Sequence, residues 1–331
     1  MLDFAVEYTS NNDACDHNLK GFLDSVQSAM SLPPSSVSSV VAKVTAMLPL
    51  SLLERVSDLL SPLYHTLEKP EPLTPQEEID LQSGQERLWK LCEKCVQANI
   101  PLTVDAEHIA VQPAIDYLTY LTAIKHGKNG SPIVYGTIQA YLKDAKERLL
   151  LATKAAEEMG IPVGFKLVRG AYMSSERKTA SSLGYESPIH NSIQETHACY
   201  NDCAAFMLEN IANSSNAVIL ATHNVESGFD SGFFVHCAGR LAATRAIELG
   251  IEKRNRKLEF AQLYGMSDAL SFGLRNAGFL VSKYTPYGPI QMVIPYLLRR
   301  AEENRGLLSS STIDRDLMRK ELKRRLKAAI F

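Results

Sequence analysis

Two adjacent arginines, Arg299 and Arg300, form the residue pair with the clearest chemistry in this sequence. Tyr296 and Glu303 stand three or four positions away, so these side chains share one face of a predicted helix. Two guanidinium groups can hold a carboxylate through forked hydrogen bonds, which lysine cannot make. The pattern indicates a site for a small carboxylic acid. The alternative is a basic surface pair.

A second candidate site follows a predicted strand, in the run VRGAY from Val168 to Tyr172. Gly170 lets the backbone approach a ligand closely, and Arg169 and Lys166 add positive charge. Such a turn suits an anionic or electron-rich ligand, for example a phosphate or an isoalloxazine ring. The sequence has no GxGxxG after a strand and no GxxxxGK[ST], so a Rossmann site and a P-loop are unsupported.

Metal chemistry has weak support in the sequence. Cys92 and Cys95 have the spacing of a zinc or redox motif, but no second pair accompanies them, and their helical context favours ordinary cysteines. His223 is a possible ligand, but the other histidines lack ligand spacing, which favours a hydrogen-bonding role. We therefore expect no metal site.

Short β-prone runs alternate with longer helical patterns along the whole chain. Most of the runs are apolar on both faces, which is typical of parallel strands buried on both sides. Eight strands, each followed by a helix, predict an α/β fold of the (β/α)₈ type that starts directly on its first strand. The predicted strands are Phe4–Tyr8, Ser39–Ala46, Leu102–Asp105, Ile133–Gln139, Val163–Val168, Val218–Thr222, Leu258–Gln262 and Leu280–Thr285.

Polar residues collect at the ends of these strands, where a barrel of this type places its chemistry. A barrel with only a structural role has little reason to gather so many charges and donors at one rim. They are Glu7, Lys43, Asp105, Glu107, Gln139, Lys166, Arg169, Thr222, His223, Asn224, Gln262 and Tyr284.

Two segments interrupt the barrel pattern. The proline-rich stretch 61–76 predicts a surface excursion within a barrel of residues 1–310. Residues 311–331 predict a basic amphipathic helix, which either caps the barrel or attaches to a membrane surface.

Composition excludes some classes of protein. The net charge of −2 gives no global field for nucleic acid, and six cysteines in 331 residues are too few for a disulfide scaffold. The N-terminus has no basic, Ser-rich leader, so we expect a shortened form or a lost targeting segment.

In combination, the motifs resemble those of the proline dehydrogenase family, most closely its plant-type mitochondrial members. The resemblance covers nearly the whole chain, in family order, and is most specific in KLVRGAY and YLLRRAEEN. It implies a distorted barrel with FAD held non-covalently at its carboxyl face. It also implies oxidation of L-proline to Δ1-pyrroline-5-carboxylate by hydride transfer to the flavin, which is the first step of proline catabolism.

The resemblance carries residue roles to matching positions. It implies catalytic roles for Asp105, Lys166 and Tyr284, and a gate formed by Glu7 with Arg299. It implies substrate contacts for Lys43, Leu263, Tyr284, Tyr296, Arg299 and Arg300. It implies cofactor contacts for Gln139, Lys166, Val168, Arg169, Gly170, Ala171, Tyr172, Thr222, His223, Asn224 and Glu303.

The resemblance further implies a quinone as electron acceptor, a location on the matrix side of the inner mitochondrial membrane, and peripheral contact with that membrane. No nucleic-acid partner is expected. Two alternatives stay open. One is an aldolase-type barrel that uses Lys43 or Lys166 as a Schiff-base nucleophile. The other is a truncated barrel, weakly active or inactive, with a scaffold role.

Overall fold

Parallel strands form the frame of the protein in the computed structural model, which describes residues 1–61, 71–127, 130–223, 238–303 and 308–330. In this part of the chain the strands are β1 (Leu2–Phe4), β2 (Val40–Ala42), β3 (Leu102–Val104), β4 (Val134–Gln139), β5 (Gly164–Val168), β6 (Ala217–Ala221), β7 (Leu258–Leu263) and β8 (Leu280–Tyr287). They follow one another around a closed barrel in chain order, and β1 pairs with β8 to close it. The predicted (β/α)₈ fold is confirmed.

Helices surround this barrel. They are α1 (Asn12–Ser31), α2 (Leu50–Leu60), α3 (Pro75–Ala98), α4 (Gln112–His126), α5 (Ala145–Met159), α6 (Met173–Leu183), α7 (Ile193–Asn213), α8 (Ala238–Glu248), α9 (Asp268–Asn276), α10 (Ile290–Glu303) and α11 (Leu308–Ile330). Two helices follow each of β2, β5 and β8, whereas the sequence pattern predicted two helices only after β8.

Local sequence explains where several helices begin and end. Helix α3 starts in a capping box, in which Thr74 and Glu77 satisfy each other's backbone N–H groups, and Pro75 occupies the first turn. Helix α5 ends at Gly160, whose φ of 67° lies in the left-handed region that glycine adopts without strain.

Two strand predictions were wrong in their bounds, with consequences for the site. The predicted Phe4–Tyr8 strand lies at Leu2–Phe4, so Glu7 belongs to the loop that follows. The predicted Ser39–Ala46 strand ends at Ala42, and Val44–Ala46 form a 3₁₀ turn. Both runs are apolar beyond the true strand end, so hydrophobicity alone does not mark the exit. Lys43 is the residue at which β2 leaves the barrel.

Apolar side chains form three buried clusters. One packs α1 to α4 against the first four strands, and another packs α5 and α7 to α9 against β4 to β8. The third and smallest lies inside the barrel and includes Val41, Tyr135, Ile219, Tyr284 and Tyr296. Because the outer clusters hold every strand between its neighbours and a helix layer, the strand ends form a rigid rim.

The two segments that interrupt the pattern are described in part. Residues 62–70 of the 61–76 excursion lie outside the described residues, and α3 begins at Pro75. Helix α11 covers most of 311–331, and its Met318, Leu322 and Leu326 side chains are exposed. Within the described ranges, no helix combines the length and apolar character needed to cross a membrane.

A glycine in α3 offers a test of this packing. A Cβ at Gly84 would overlap the side chain of Leu48, which has no exposed surface and little room to move. We expect Gly84→Ala to lower the free energy of unfolding by about 1–3 kcal/mol, despite the better helix propensity of alanine.

Gly273 in α9 is the matched control, because no atom lies within 4 Å of its added Cβ. Gly273→Ala should stabilise the protein by about 0.5–1 kcal/mol. Urea denaturation monitored by circular dichroism measures both values. Equal effects of the two substitutions would contradict the packing described here.

Candidate active site

The charged residues after β2 and β3 are neighbours at the carboxyl rim of the barrel. The Asp105 N–H donates to the Ala42 carbonyl at 2.9 Å, which continues the β2–β3 pairing by one residue. Lys43 and Asp105 therefore leave adjacent strands at the same level. Their side chains point to the same side of the sheet as Val41 and Thr103 two residues earlier.

Lys43 is the centre of a buried network. Its Nζ donates to Asp3 Oδ1 at 2.8 Å, to Asp105 Oδ2 at 3.0 Å and to the Tyr284 hydroxyl at 3.0 Å. These partners use all three ammonium protons. Burial opposes the charge, but Asp3 and Asp105 outweigh it and hold the pKa of Lys43 well above its usual value. Lys43 is therefore a fixed cation.

Asp105 joins Lys43 to Lys166. Its Oδ1 is in contact with Lys166 Nζ, and its Oδ2 accepts a 2.7 Å hydrogen bond from the Tyr284 hydroxyl. Burial raises the pKa of Asp105, but the two lysines and these hydrogen bonds reverse that effect and hold it far below its usual range. Asp105 is thus an ionised anchor that orients three side chains.

Asp3 belongs to this network, although the sequence did not single it out. It has no exposed surface, and burial raises its pKa above the usual value despite the opposing charge of Lys43. The signal was an aspartate in the apolar run LDFAVEY. It was missed because the predicted β1 began two residues too late, at Phe4.

Helix α10 brings its arginines to the same mouth. Arg299 pairs with Glu7 at 2.6 Å, so the predicted partners of the gate are in contact. The ring of Tyr296, which is buried, lies 5.1 Å from the Arg300 guanidinium and 5.4 Å from Lys43 Nζ. Three cations therefore surround one buried ring at the barrel mouth.

A different sector of the rim forms around Arg169 after β5. Its guanidinium donates to Thr222 Oγ1 at 2.6 Å and to His197 Nδ1 at 3.0 Å, and it stacks on Tyr200 at 4.3 Å. His197 and Tyr200 lie three residues apart on α7, so they share one face. The ETHACY run offered only that spacing as a signal, and both residues were missed.

The backbone beside Arg169 is only partly covered and includes a glycine. Val168, Arg169, Gly170 and Ala171 are half-buried. Gly170 has a φ of +135°, and a Cβ there would overlap the ring of Tyr141, so only glycine fits. On the neighbouring strand, the Gln139 side chain donates to the Glu107 carbonyl at 2.9 Å.

His223 is neutral in this arrangement. Its Nε2 accepts the Leu263 N–H at 3.1 Å, so the proton of the neutral ring is on Nδ1, which faces Ser267 Oγ. Burial, with Lys283 and Arg169 nearby, lowers the pKa of His223 to about 4. Both ring nitrogens of His223 therefore have hydrogen-bonding partners, Leu263 and Ser267.

Some predicted residues are located elsewhere or not described. Tyr172 packs against His108, with ring centroids 4.1 Å apart, on the side of the mouth near Tyr8. Asn224 and the side chain of Glu303 lie outside the described residues.

The CxxC pair lies away from this mouth. Cys92 and Cys95 are buried on α3, and burial raises the pKa of Cys92 to about 12 and that of Cys95 further. Such thiols are poor metal ligands and poor nucleophiles. They are core residues.

Comparison with known proteins identifies the family. The model of the family described as proline dehydrogenase matches residues 1–312. The chain belongs to the proline dehydrogenase family. It is 54% identical to "Proline dehydrogenase 2, mitochondrial" of Arabidopsis thaliana over 354 residues, with 99% of this chain and 72% of that protein covered.

More distant members of the proline dehydrogenase family agree. The chain is 38% identical to "Proline dehydrogenase 1, mitochondrial" of Homo sapiens, over 77% of this chain and 40% of the human protein. Proline utilization A from Bdellovibrio bacteriovorus has the same fold, with a TM-score of 0.72 at 23% identity over 92% of this chain. This chain spans only 30% of that larger protein.

The Tyr284 hydroxyl offers a direct test of the buried network. Tyr284→Phe removes the hydroxyl that donates a hydrogen bond to Asp105 and accepts one from Lys43. We therefore expect the free energy of unfolding to fall by about 1–3 kcal/mol. Tyr264→Phe is the control, because the Tyr264 side chain is 72% exposed. It should change stability by less than about 0.5 kcal/mol. Matching urea midpoints for the two variants would refute the network's contribution.

Proposed function

We propose that the protein is a flavin-dependent dehydrogenase that oxidises L-proline to Δ1-pyrroline-5-carboxylate, the first step of proline catabolism. The observation that carries the proposal is the group of three cations, Lys43, Arg299 and Arg300, around the buried ring of Tyr296. An amino acid with a small apolar ring matches such a mouth. Its carboxylate meets the cations and its ring meets the tyrosines.

Lys43, Arg299 and Arg300 would contribute to carboxylate binding in different ways. Lys43 has its three protons committed to Asp3, Asp105 and Tyr284, so it acts through its charge. The guanidinium of Arg300 would make the direct forked contact. Arg299 is paired with Glu7 and would close the mouth over the substrate, with Leu263, Tyr284 and Tyr296 around the ring.

The sector around Arg169 has the chemistry to hold FAD. Arg169 would supply positive charge and Thr222 a hydrogen-bonding group for a pyrophosphate or ribityl chain, and the neutral ring of His223 would line the same sector. Gln139, Lys166 and the backbone of Val168, Gly170 and Ala171 supply polar contacts and close approach for the ring system. A flavin bound there would supply the hydride acceptor. Tyr172, Asn224 and Glu303 complete the proposed cofactor residues.

The protein's residues would position the substrate rather than remove its proton. The depressed pKa of Asp105 makes it a poor base near neutral pH, so its role is to fix Lys166 and Tyr284. The substrate amine would have to lose its proton to solvent before the ring carbon next to it can donate a hydride. Turnover should therefore rise toward alkaline pH.

Two alternatives have less support. A Schiff-base aldolase needs a lysine with an accessible neutral amine, whereas Lys43 is a fully hydrogen-bonded cation and Lys166 contacts Asp105. A scaffold role would not require this balanced network of buried charges. Reduction with borohydride in the presence of a keto acid, followed by mass analysis of the lysines, tests the aldolase alternative.

A quinone is the electron acceptor that we propose, with a location on the matrix side of the inner mitochondrial membrane. The names of the plant and human relatives include "mitochondrial". Helix α11 exposes Met318, Leu322 and Leu326 at four-residue spacing among lysines and arginines. This arrangement supports peripheral contact with an anionic membrane surface.

An anaerobic visible spectrum tests the proposal. With FAD bound, addition of L-proline should bleach the flavin absorbance. The second-order rate constant for this bleaching should rise with pH. Cyclopentanecarboxylate is the matched control ligand, because it has the ring and the carboxylate but no amine. It should bind without bleaching. Protein that takes up no flavin, or flavin that proline leaves oxidised, would overturn the assignment.

The Arg300 guanidinium has a separate test. Arg300→Gln should lower kcat/KM for proline by about tenfold to a hundredfold, because a charge-assisted hydrogen bond to the carboxylate is lost. Arg325→Gln on α11 is the matched control, since Arg325 is exposed and pairs with Glu321. It should leave kcat/KM unchanged. Steady-state assays with an artificial acceptor compare the two, and an active Arg300→Gln enzyme would exclude the proposed contact.

A further inference from the structure

Glu107 is a buried carboxylate at the exit of β3 to which the proposed reaction gives no role. Its side chain has no exposed surface. Its Oε1 accepts the Thr45 N–H at 3.2 Å, and its Oε2 accepts the Thr45 hydroxyl at 2.6 Å. Burying a carboxylate whose hydrogen bonds come from one threonine is unfavourable. The presence of Glu107 there suggests a function for the loop that Thr45 anchors.

Thr45 anchors the loop that carries Glu7. The Tyr8 N–H donates to Thr45 Oγ1 at 3.3 Å. The N–H and hydroxyl of Thr9 donate to the Thr45 carbonyl at 2.9 and 2.7 Å. These bonds fix the two residues directly after Glu7, whose carboxylate meets Arg299 at 2.6 Å. A continuous chain of contacts therefore joins Glu107 to the Glu7–Arg299 gate.

We propose that Glu107 is a positioning residue for the gate: its ionised carboxylate orients the Thr45 hydroxyl so that Glu7 is held where it meets Arg299. The inference rests on the proposed function, since it treats Arg299 as part of a carboxylate site. Glu107 itself contacts neither substrate nor cofactor. It acts only through Thr45 and the loop.

The single proton of the Thr45 hydroxyl explains why ionisation matters. When Glu107 is ionised, the Thr45 hydroxyl donates its proton in a hydrogen bond to the carboxylate, and the lone pairs of Thr45 Oγ1 stay available to the Tyr8 N–H. When Glu107 is protonated, its own O–H must donate to the same oxygen. The Thr45 proton then turns toward the loop and weakens the bond from Tyr8.

The surroundings of Glu107 place this change in an accessible pH range. Burial and the charge of Glu7 raise its pKa to about 7, against the hydrogen bonds from Thr45 and the charge of Lys43. Tyr8 and Tyr172 are further titratable groups, among the described residues, that interact with it. Both tyrosine pKa values are raised, so these side chains stay neutral as Glu107 titrates.

The sign of the pH effect follows. The ionised, gate-holding form dominates above pH 7 and is lost as the pH falls through that value. A carboxylate ligand should therefore bind more tightly on the alkaline side. Glu107→Gln removes the charge but keeps the backbone carbonyl that accepts from Gln139, so the cofactor side of the residue is preserved.

The experiment measures the dissociation constant of cyclopentanecarboxylate for the FAD-loaded protein across the pH range that brackets 7. This probe has no amine, and its carboxyl group titrates far below that range. For the unsubstituted protein the constant should fall by about threefold to tenfold as the pH rises, the range that one hydrogen bond supports. Glu107→Gln should bind weakly at every pH. The control Glu158→Gln, at a 68% exposed position on α5, should behave like the unsubstituted protein.

Three variants test the route through Thr45. Thr45→Val should bind the probe as weakly as Glu107→Gln at every pH. Thr45→Ser keeps the hydroxyl, so its dissociation constant should depend on pH like that of the unsubstituted protein. In a Glu7→Gln background, Glu107→Gln should have little further effect, because both act on the same gate. Additive effects, or a pH dependence that persists in Glu107→Gln, would overturn the inference. Failure of the unsubstituted protein to bind the probe at any pH would instead count against the proposed function.

Discussion

The interaction on which the rim depends is the buried pairing of Lys43 with Asp3 and Asp105. A lysine with 2% of its surface exposed would lose its proton without compensation, because the desolvation of one ammonium group costs several kcal/mol. The two carboxylates reverse that tendency. With Lys166 included, the network has two anions and two cations. The network therefore holds Lys43 as a cation at the mouth, although its charges sum to zero.

This balance explains why the arginines are on a helix and the lysines on strands. Lys43 and Lys166 are held by Asp105 at the rigid rim, where strand pairing fixes their positions. Arg299 and Arg300 are on α10, which follows the last strand and covers the mouth. A half-buried guanidinium keeps its charge without such a network. The helix thus carries the arginines of the proposed carboxylate site, while the strand ends carry the lysines that Asp105 holds in place.

The rim also divides into sectors of different chemistry. The exits of β1 to β3 contribute Glu7, Lys43, Asp105 and Glu107, and they face α10. The exits of β5 and β6 contribute Arg169 and Thr222, supported from behind by His197 and Tyr200 on α7. Because different strand exits carry the two sectors, one barrel could place the proposed carboxylate site beside the proposed cofactor site.

The sequence determines some features of this protein, and the tertiary structure decides others. The alternation of apolar runs and helical periods determined the number of strands and the barrel, because those patterns are local. Residue types determined the candidates, and in Lys43, Asp105, Lys166 and Tyr284 four of them lie in one network. The exact exits of β1 and β2 required the tertiary structure, since apolar residues continue past both strand ends. So did the partners of Lys43 and the contact between Glu7 and Arg299, which are 292 residues apart and meet only because barrel closure brings β1 beside β8.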